Sequence, residues 1–386
     1  MARIVFFNIP AHGHTNPTLA VVRALTAQGH EVIYYSFEPF RAAIEAAGAR
    51  FISCDRADAG DADGGQVARD LVASTALIVR VTLSMDEAVT RELEALKPDV
   101  IVADSVAFWG KLFALKLGVP LVSSCTTFAF NRHSAKIMKS SAGDLLGMLW
   151  KLPRAGRLLK PLRDKGYPVK GALDILQNDP ELPTVVYTST AFQPAADTFP
   201  DNFHFVGPCL RPSGEPWPKG ERPLVYASVG TVLKEGTAFF RACVEALADT
   251  CDLVLSLGEG ADPASLGALP AGVRAFDRVD QLAVLQSADA FISHCGMNSA
   301  SEALYYGVPL ITRPLTPEET GVANRAIQLG AALPLPSDDP QAIRDAVTAL
   351  LASSAHRAAA QDLSRSLQSA GGPEAAARVI LRAGNC

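Results

Sequence analysis

The feature that most constrains the fold is a repeating order of signals: a short apolar run, a helical stretch, and a glycine that ends the helix. In the first 125 residues, strands are predicted at 3–9, 31–37, 50–53, 99–103 and 119–125. Helices are predicted between them, at 17–28, 38–47, 66–96 and 105–117. Alternation of this kind favours βαβ units and a parallel sheet.

The same alternation returns in the second half, where strands are predicted at 223–227, 252–257, 290–293 and 308–312. Residues 206–223 lie between the halves and contain five prolines and three glycines, which is typical of a linker because proline disfavours helices and central strands. The prediction is an α/β protein with two Rossmann-like domains facing each other across a cleft. The domains span 1–208 and 223–386, the second including C-terminal helices, with a linker at 209–222. Ligands of such folds bind beyond the carboxyl ends of the strands, so the cleft is the expected site.

Charge and cysteine usage narrow the class of protein. The chain has 35 Lys and Arg against 40 Asp and Glu, a net charge of −5, so no nucleic-acid partner is expected. Its seven cysteines contain no CxxC pair, which favours reduced thiols and a cytoplasmic protein. No apolar run is long enough for a membrane span, and Pro153 and Pro161 interrupt the basic stretch 144–166, so stable membrane insertion is not expected.

Two residues at predicted strand ends are candidates for acid–base chemistry. His14 follows the first strand in a loop that also contains His12, and Pro17 suits the first turn of the following helix. A neutral imidazole there could accept a proton near neutral pH. Asp104 follows the fourth strand and could fix the tautomer of that imidazole. The alternative is that Asp104 caps a helix beginning near Val106 and that the histidines only satisfy loop carbonyls.

A third segment, residues 293–302, has the pattern of an anion site. It combines a strand end, Gly296 and a helix start with small polar residues. Backbone N–H groups at such a helix start bind phosphate, and a glycine permits close approach. His294 could add a donor, and Glu302, one turn further on, could accept from two ribose hydroxyls. The alternative is an ordinary capped helix.

Spacing disfavours several other functions. The first strand is not followed by GxGxxG, so dinucleotide binding is not expected, and no GxSxG elbow or Walker loop occurs. Asp61 and Asp63 form a DxD pair within the loop 55–65, which lacks the glutamate of a calcium loop. We therefore predict no metal site.

These motifs together resemble a known family. GHTNP after the first strand, ADSVAFWG at the fourth, SVGT at the start of the second domain, and HCGMNS…E…YYGVPL near residue 300 are similar to the inverting GT-B glycosyltransferases of family one. The nearest resemblance is to the bacterial macrolide and natural-product glycosyltransferases. It covers nearly the whole chain.

The resemblance implies a nucleotide-sugar donor in the C-terminal domain and an acceptor in the N-terminal domain. It makes His14 the catalytic base and Asp104 its partner, so that an acceptor hydroxyl displaces the nucleotide with inversion. It implies no divalent metal and no cofactor beyond the nucleotide sugar. The donor-binding positions it assigns are Ser228, Thr231, His294, Gly296, Asn298, Ser299 and Glu302.

Two positions depart from the family pattern and bear on the donor. Arg278, followed by Gln281, stands where the family commonly has a tryptophan that stacks on uracil; a guanidinium can stack as well. Glu318 and Glu319 replace the acid–Gln pair that binds the sugar, and an ionised Glu319 cannot donate a hydrogen bond. UDP-glucose is the favoured donor, and the choice between uridine and thymidine stays open.

Aromatic residues near strand ends predict the kind of acceptor. The same two-domain scaffold also leaves other functions open. Phe108, Trp109, Phe128 and Phe130 could line an apolar site for a phenol, flavonoid or macrolide, or could belong to the core. The alternatives are a non-catalytic auxiliary protein, a nucleotide-sugar epimerase and, less in keeping with the motifs, a dinucleotide oxidoreductase. A monomer or homodimer is expected.

Overall fold

The computed structural model describes residues 1–55, 57, 70–137, 151–171, 180–230 and 237–386. The chain divides into two compact units. Unit 1 comprises residues 1–187, 195–209 and 371–386, and unit 2 comprises 188–194 and 210–370.

Both units are built from parallel strands with helices between them. The strands are β1 Arg3–Phe7, β2 Glu31–Ser36, β3 Arg50–Ser53, β4 Val100–Asp104, β5 Leu121–Cys125, β6 Thr184–Val186, β7 Phe203–Phe205, β8 Leu224–Ser228, β9 Asp252–Ser256, β10 Val273–Phe276, β11 Ala290–Ser293, β12 Leu310–Thr312 and β13 Ala332–Pro334. The α-helices are α1 His12–Ala27, α2 Arg41–Ala46, α3 Leu71–Leu96, α4 Phe108–Leu117, α5 Arg132–Ile137, α6 Lys160–Asp164, α7 Ala238–Leu247, α8 Gln281–Leu285, α9 Met297–Tyr305, α10 Pro317–Gln328, α11 Pro340–Ala352, α12 Ser354–Ser369 and α13 Gly372–Ala383.

Short 3₁₀ helices lie at Glu38–Phe40, Ala196–Thr198 and Pro263–Leu266. Residues 151–158 are also helical, and they include Pro153, which the sequence predicted to interrupt a helix. Pro161 stands in the first turn of α6, where its missing N–H costs no hydrogen bond. The rest of that basic stretch, 144–150, lies outside the described residues.

The sheet of unit 1 has the strand order β3-β2-β1-β4-β5-β6-β7 in the part of the chain that the structure describes. Phe7 at the end of β1 is in register with Ala103 of β4, and Asp104 is in register with Ser124 of β5. Because these strands are parallel neighbours, the segments that follow β1, β4 and β5 leave the sheet at the same edge.

The sheet of unit 2 has the order β10-β9-β8-β11-β12-β13 among the described residues. Ser228, the last residue of β8, is in register with Ser293 of β11 and Ser256 of β9. Ser293 in turn pairs with Thr312 of β12. The loops after β8 and β11 therefore begin side by side at the carboxyl edge of this sheet.

The last helix belongs to the first unit, in contrast to the predicted single domain at 223–386. Ala376, Ala377 and Ile380 of α13 are buried in the same core cluster as Ile4 and Val22. The amide of Gly372 also donates to the carbonyl of Val206 over 2.7 Å. The apolar face of α13 thus completes the core of unit 1, which periodicity within the helix could not reveal.

Two further segments differ from the predicted domain limits. Residues 188–194 belong to unit 2, where the Arg325 guanidinium donates to the carbonyls of Ala191, Phe192 and Gln193. Residues 210–222 also belong to unit 2 rather than forming a separate linker. The Trp217 amide donates to the Ala283 carbonyl over 2.9 Å, which holds this extended segment against α8.

Most predicted strands agree with the structure to within one or two residues at each end. The strands β6, β7, β10 and β13 were not predicted, because each has only three or four residues and no clear alternation. Helix α1 begins at His12 rather than at Pro17, so Pro17 lies inside the helix. Among the described residues, no helix combines the length and the apolar character needed to cross a bilayer.

Candidate active site

His14 stands in the first turn of α1 rather than in a loop. Ala11 is the N-cap, and its carbonyl accepts from the amides of His14 and Thr15 over 3.1 and 2.9 Å. Pro17 therefore sits six positions into the helix, later than the first-turn position that its fixed φ favours. Placing His14 on a helical turn gives its side chain a fixed direction that a loop would not.

A buried polar network secures that turn to the sheet. Asn8 follows β1 and donates from Nδ2 to the main-chain oxygen of His14 over 3.0 Å and to the Tyr34 hydroxyl over 2.8 Å. The Tyr34 hydroxyl also lies 2.6 Å from Oγ1 of Thr18, which bonds to the carbonyl of Thr15. Burial raises the pKa of Tyr34 far above its usual range, so the phenol stays neutral. The network connects β1, β2 and α1 directly beneath His14.

The structure brings His14 and Asp104 into contact. Nδ1 of His14 lies 2.9 Å from Oδ2 of Asp104, and the His14 side chain keeps 17% of its surface exposed whereas Asp104 is buried. Thr126, which follows β5, places Oγ1 2.9 Å from the same Nδ1. The order β1-β4-β5 explains this meeting: Asp104 ends β4, His14 and Thr126 follow β1 and β5, and these strands are parallel neighbours. Sequence reasoning identified the first two residues and missed Thr126.

Asp104 is not the N-cap of α4, which is Ala107, but it contacts the turn before that helix as well as His14. Its Oδ1 accepts from the amide of Val106 over 2.9 Å, which stabilises the turn before α4, while Oδ2 is directed to His14. A carboxylate has enough acceptor sites for both bonds. An ionised carboxylate only accepts, so Nδ1 of His14 carries the proton in this arrangement and Nε2 is the nitrogen that can act as a base.

In unit 2, His294 lies between two glycines. A Cβ on Gly230 would come within 2.8 Å of its Nε2, and a Cβ on Gly296 within 2.6 Å. Gly230 also has a φ of +87°, a backbone conformation that favours glycine. Cys295, between His294 and Gly296, is buried with a φ of 65°, which is uncommon for a residue with a side chain. Larger residues at the two glycine positions would displace the ring.

The environment of His294 keeps its imidazole neutral. Burial lowers its pKa, while the charge of Glu319 and the backbone of Ser228 oppose that change. Its Nδ1 is buried and has no hydrogen-bond partner within the described parts of the chain. A neutral ring with one buried nitrogen that lacks a partner among the described residues is a candidate for a hydrogen bond with a ligand, and the donor role of His294 stays a prediction.

The helix α9 begins at Met297 with Gly296 as its N-cap, and a glycine has no side chain that could bond to the N–H groups of the first turn. Asn298 and Ser299 stand in that first turn, half-buried. The positive end of the helix and its N–H groups are therefore directed toward the loop after β11. Ser228 ends the neighbouring strand β8, and Thr231 lies outside the described residues.

Glu302, five positions after Met297 in α9, is held by Gln281. The Gln281 amide donates from Nε2 to Oε2 of Glu302 over 2.5 Å, and its Oε1 accepts from the Tyr226 hydroxyl over 3.2 Å. Burial raises the pKa of the Glu302 carboxyl, although the bond from Gln281 opposes this. Gln281 also approaches Oγ of Ser299 at 3.4 Å. Three of the predicted donor-binding residues thus form one connected group.

Glu319, the second residue of the acidic pair at the start of α10, has a structural function. Oε2 of Glu319 accepts from the amides of Leu315 and Thr316 over 2.8 and 2.9 Å, and the Glu319 amide donates to Oγ1 of Thr316. This is a capping box, in which either Glu or Gln serves at the third position. Glu318 is exposed on the same turn. The predicted sugar-binding role of Glu319 therefore competes with its role as a cap.

The extended segment 210–222 adds groups beside α8 that the sequence analysis did not identify. Arg211 donates to Oδ1 of Asp280 over 2.6 Å, and the Gly214 amide donates to its Oδ2 over 2.8 Å. Asp280 directly precedes Gln281 and occupies the N-cap position of α8, where its carboxylate bonds to Arg211 and Gly214. Arg278 is exposed and lies 3.4 Å from the Glu259 carboxylate. The segment 210–222 has no hydrophobic periodicity, so only its position in the fold shows this role.

The four aromatic residues predicted for the acceptor divide into two groups. Trp109 and Phe128 are 7% and 2% exposed and belong to the interior, where they contact protein rather than solvent. Phe130 is 48% exposed and Phe108 is half-buried. Val106, beside Asp104, is also 44% exposed. Apolar side chains with exposed surface are therefore present at Val106, Phe108 and Phe130.

In the described parts of the chain, no three or more His, Cys, Asp or Glu side chains come together in a way that could hold a metal ion. Asp61 and Asp63 lie outside the described residues. None of the seven cysteines, all of which the structure describes, forms a disulfide.

Similarity to known proteins agrees with this geometry. The family model of the erythromycin biosynthesis protein CIII-like C-terminal domain matches residues 243–381. The chain is 33% identical to the NDP-glycosyltransferase YjiC of Bacillus subtilis (strain 168), covering 98% of this chain and 96% of that protein. It is 34% identical to demethyllactenocin mycarosyltransferase of Streptomyces fradiae, covering 85% of this chain and 74% of that protein.

A solved structure is similar over the whole chain. The calicheamicin glycosyltransferase CalG4 has a TM-score of 0.84 and 30% identity, covering 99% of this chain and 98% of CalG4. One assignment follows from the two parallel-sheet α/β units, the segment after β11 and the extent of these matches. The chain belongs to the GT-B glycosyltransferases of the macrolide and natural-product type.

Proposed function

We propose that this protein transfers a hexose from a nucleoside-diphosphate sugar, with UDP-glucose as the favoured donor, to a hydroxyl of a hydrophobic small molecule, with inversion at the anomeric carbon. The observation that carries the proposal is the contact of His14 Nδ1 with Asp104 Oδ2 at 2.9 Å. It leaves Nε2 as the base on a side chain that remains partly exposed, beside a surface with apolar groups.

The proposed reaction is a single displacement. Nε2 of His14 takes the proton of the acceptor hydroxyl, and the acceptor oxygen forms a bond to the anomeric carbon as the bond from that carbon to the diphosphate oxygen breaks. The electron pair of the broken bond leaves with the diphosphate. The buried Asp104 carboxylate stabilises the imidazolium that forms. Attack opposite to the leaving group inverts the configuration.

Donor binding is assigned to unit 2. The N-terminus of α9 and His294 would hold the diphosphate and stabilise the charge that develops on it, so the proposed reaction requires no divalent metal. The Glu302 carboxylate, already positioned by Gln281, would accept from the ribose hydroxyls. Arg278 would stack on the base, and this contact does not distinguish uracil from thymine.

The acceptor is proposed to be a phenol, a flavonoid or a macrolide. The exposed apolar side chains at Val106 and Phe130 and the half-buried Phe108 follow the strand ends near His14 and Asp104, which favours an apolar molecule. An acceptor of this kind would leave water when it binds, and its reacting hydroxyl would need a polar partner, a role that is proposed for Nε2 of His14.

The test is a mass-spectrometric transfer assay in the presence of EDTA. It pairs UDP-glucose, UDP-galactose, UDP-N-acetylglucosamine, UDP-glucuronic acid and TDP-glucose with a mixed panel of flavonoids and macrolides. A mass gain of one hexose on an acceptor, undiminished by EDTA, is expected. Nucleotide binding without transfer to any acceptor would favour an auxiliary protein, and conversion of the sugar without an acceptor would favour an epimerase.

A further inference from the structure

Thr126 contacts His14, the histidine proposed as the base, and takes no part in the proposed displacement step. It directly follows β5, is 2% exposed, and places Oγ1 2.9 Å from Nδ1 of His14. The same nitrogen lies 2.9 Å from Oδ2 of Asp104. One ring nitrogen therefore has two oxygen partners from two neighbouring strands.

The chemistry of the ring decides the direction of both bonds. In the ring plane a histidine nitrogen has either a hydrogen or a lone pair, and it cannot have both. The Asp104 carboxylate can only accept, so Nδ1 carries the hydrogen. Thr126 then has no lone pair on Nδ1 to which it could donate, and its Oγ1 is a second acceptor of the same N–H. The result is a three-centre hydrogen bond from His14 to Asp104 and Thr126.

We propose that Thr126 is a positioning residue of the transfer reaction: as the second acceptor of the Nδ1–H of His14, it fixes the plane of the ring and helps to stabilise the imidazolium. This inference rests on the proposed role of His14 as the base. Two acceptors on different strands prevent the ring from rotating about its bond to Cβ, whereas a single acceptor allows it to swing. The direction of Nε2 toward the acceptor hydroxyl depends on that orientation.

The variant that tests the proposal is Thr126→Val, which keeps the shape of the side chain and removes the hydroxyl. Thr126→Ser restores the hydroxyl. A matched control is Thr184→Val, the same change at a buried threonine of unit 1 whose Oγ1 donates to the carbonyl of Leu182. Should valine at position 126 prevent folding, Thr126→Ala removes the same hydroxyl with less bulk.

Two measurements are made on each variant. The first is the transfer rate: kcat is expected to fall about tenfold in Thr126→Val, the size expected for one lost hydrogen bond to a charged group, while the KM for the donor stays unchanged. The second needs no substrate. The Nδ1–H proton resonance of His14 in the free protein, observed in ¹⁵N-histidine-labelled protein, is expected to be sharp in the wild type and to exchange rapidly with water in Thr126→Val.

Restoration of both properties by Thr126→Ser, with Thr184→Val unchanged, would support the proposal. It would be overturned by a Thr126→Val enzyme with wild-type kcat, by a lower kcat with an unaltered Nδ1–H resonance, or by an unprotonated Nδ1 in the wild type. His14→Ala separates this proposal from the larger one. If His14→Ala transfers sugar at the wild-type rate, the base assignment fails, while the resonance still reports on the contact with Thr126.

Discussion

Gln281 donates from Nε2 to Oε2 of Glu302 over 2.5 Å, so the carboxylate proposed to bind ribose is oriented by a side chain of the same unit. Tyr226 fixes the other end of the Gln281 amide through its hydroxyl at 3.2 Å. The bond from Tyr226 requires Oε1 to accept, which leaves Nε2 to donate to Glu302. A nucleotide sugar that binds here would meet a Glu302 carboxylate that is already oriented. Binding would therefore cost little of the conformational entropy of that side chain.

Replacing Glu302 by glutamine is expected to weaken donor binding about 10- to 100-fold, because a charged acceptor of two hydroxyls becomes a neutral amide that also faces the Gln281 amide. The affinity for UDP and TDP can be measured by calorimetry. Tyr226→Phe is the milder companion variant, since it removes only the bond that fixes Gln281. Unchanged nucleotide affinity in Glu302→Gln would contradict the ribose assignment.

The two possible roles of Glu319 can be separated by its variants. Glu319→Ala removes the acceptor of the Leu315 and Thr316 amides and is expected to lower the free energy of unfolding by about 1 kcal/mol. Glu319→Gln keeps the capping box and is expected to have near wild-type stability. Urea denaturation measures both, with the exposed Glu318→Gln as a control. A loss of stability as large in Glu319→Gln as in the alanine variant would refute the cap.

The position of α13 in unit 1 predicts which unit a core mutation weakens. Ile380→Ala removes a fully buried side chain and is expected to cost about 2–5 kcal/mol. Hydrogen exchange should rise in unit 1 more than in unit 2. Leu367→Ala, at a buried leucine of α12, is the matched change in unit 2 and should show the opposite distribution. Faster exchange confined to unit 2 in Ile380→Ala would contradict this division of the chain.

His294 makes stability depend on pH. Because burial lowers its pKa in the folded protein, the unfolded chain binds a proton more readily, and the free energy of unfolding falls as the pH drops below about 6.5, the usual value for histidine. The fall ends below the folded pKa. Urea denaturation at about pH 7.5 and about pH 5.5 measures it.

His294→Gln is expected to reduce this pH dependence without abolishing it, because burial also lowers the pKa of His204 in unit 1. His204→Gln is therefore the companion variant, and each substitution should remove its own share. If the stability of His294→Gln changes with pH as the wild type does, the imidazole is not held neutral by its surroundings.

The fold and the meeting of His14 with Asp104 could be predicted from the sequence because strand ends have local signals. The runs at 50–53 and 290–293 coincide with β3 and β11, since a short apolar run between turn residues has few other solutions. His14 and Asp104 were identified because both follow strands, and parallel strand ends meet at one edge. These two inferences require only the positions of the strands in the sequence and not the packing of side chains.

The rest depended on contacts between distant parts of the chain. Thr126 was missed because nothing local marks a threonine after a strand as a partner of a histidine 112 positions away. The bonds from Arg325 to three backbone carbonyls also depend on partners that only the fold brings near. The same holds for Trp109 and Phe128, whose burial is decided by packing and not by their neighbours in the sequence. The Glu319 cap is the exception, since Thr316 and Glu319 have the local T-x-x-E spacing of a capping box, which the sequence analysis did not use.

His14 is proposed as the base of sugar transfer, and binding of the nucleotide donor is proposed to be independent of His14. The most direct measurement compares wild type and His14→Ala in kcat for transfer and, on the same preparations, in the Kd for the nucleotide. We expect a loss of kcat of about 10²- to 10⁴-fold with an unchanged Kd, because general base catalysis contributes that much and nucleotide binding is assigned to unit 2, whereas His14 belongs to unit 1. Transfer by His14→Ala at the wild-type rate would contradict the proposed role of His14.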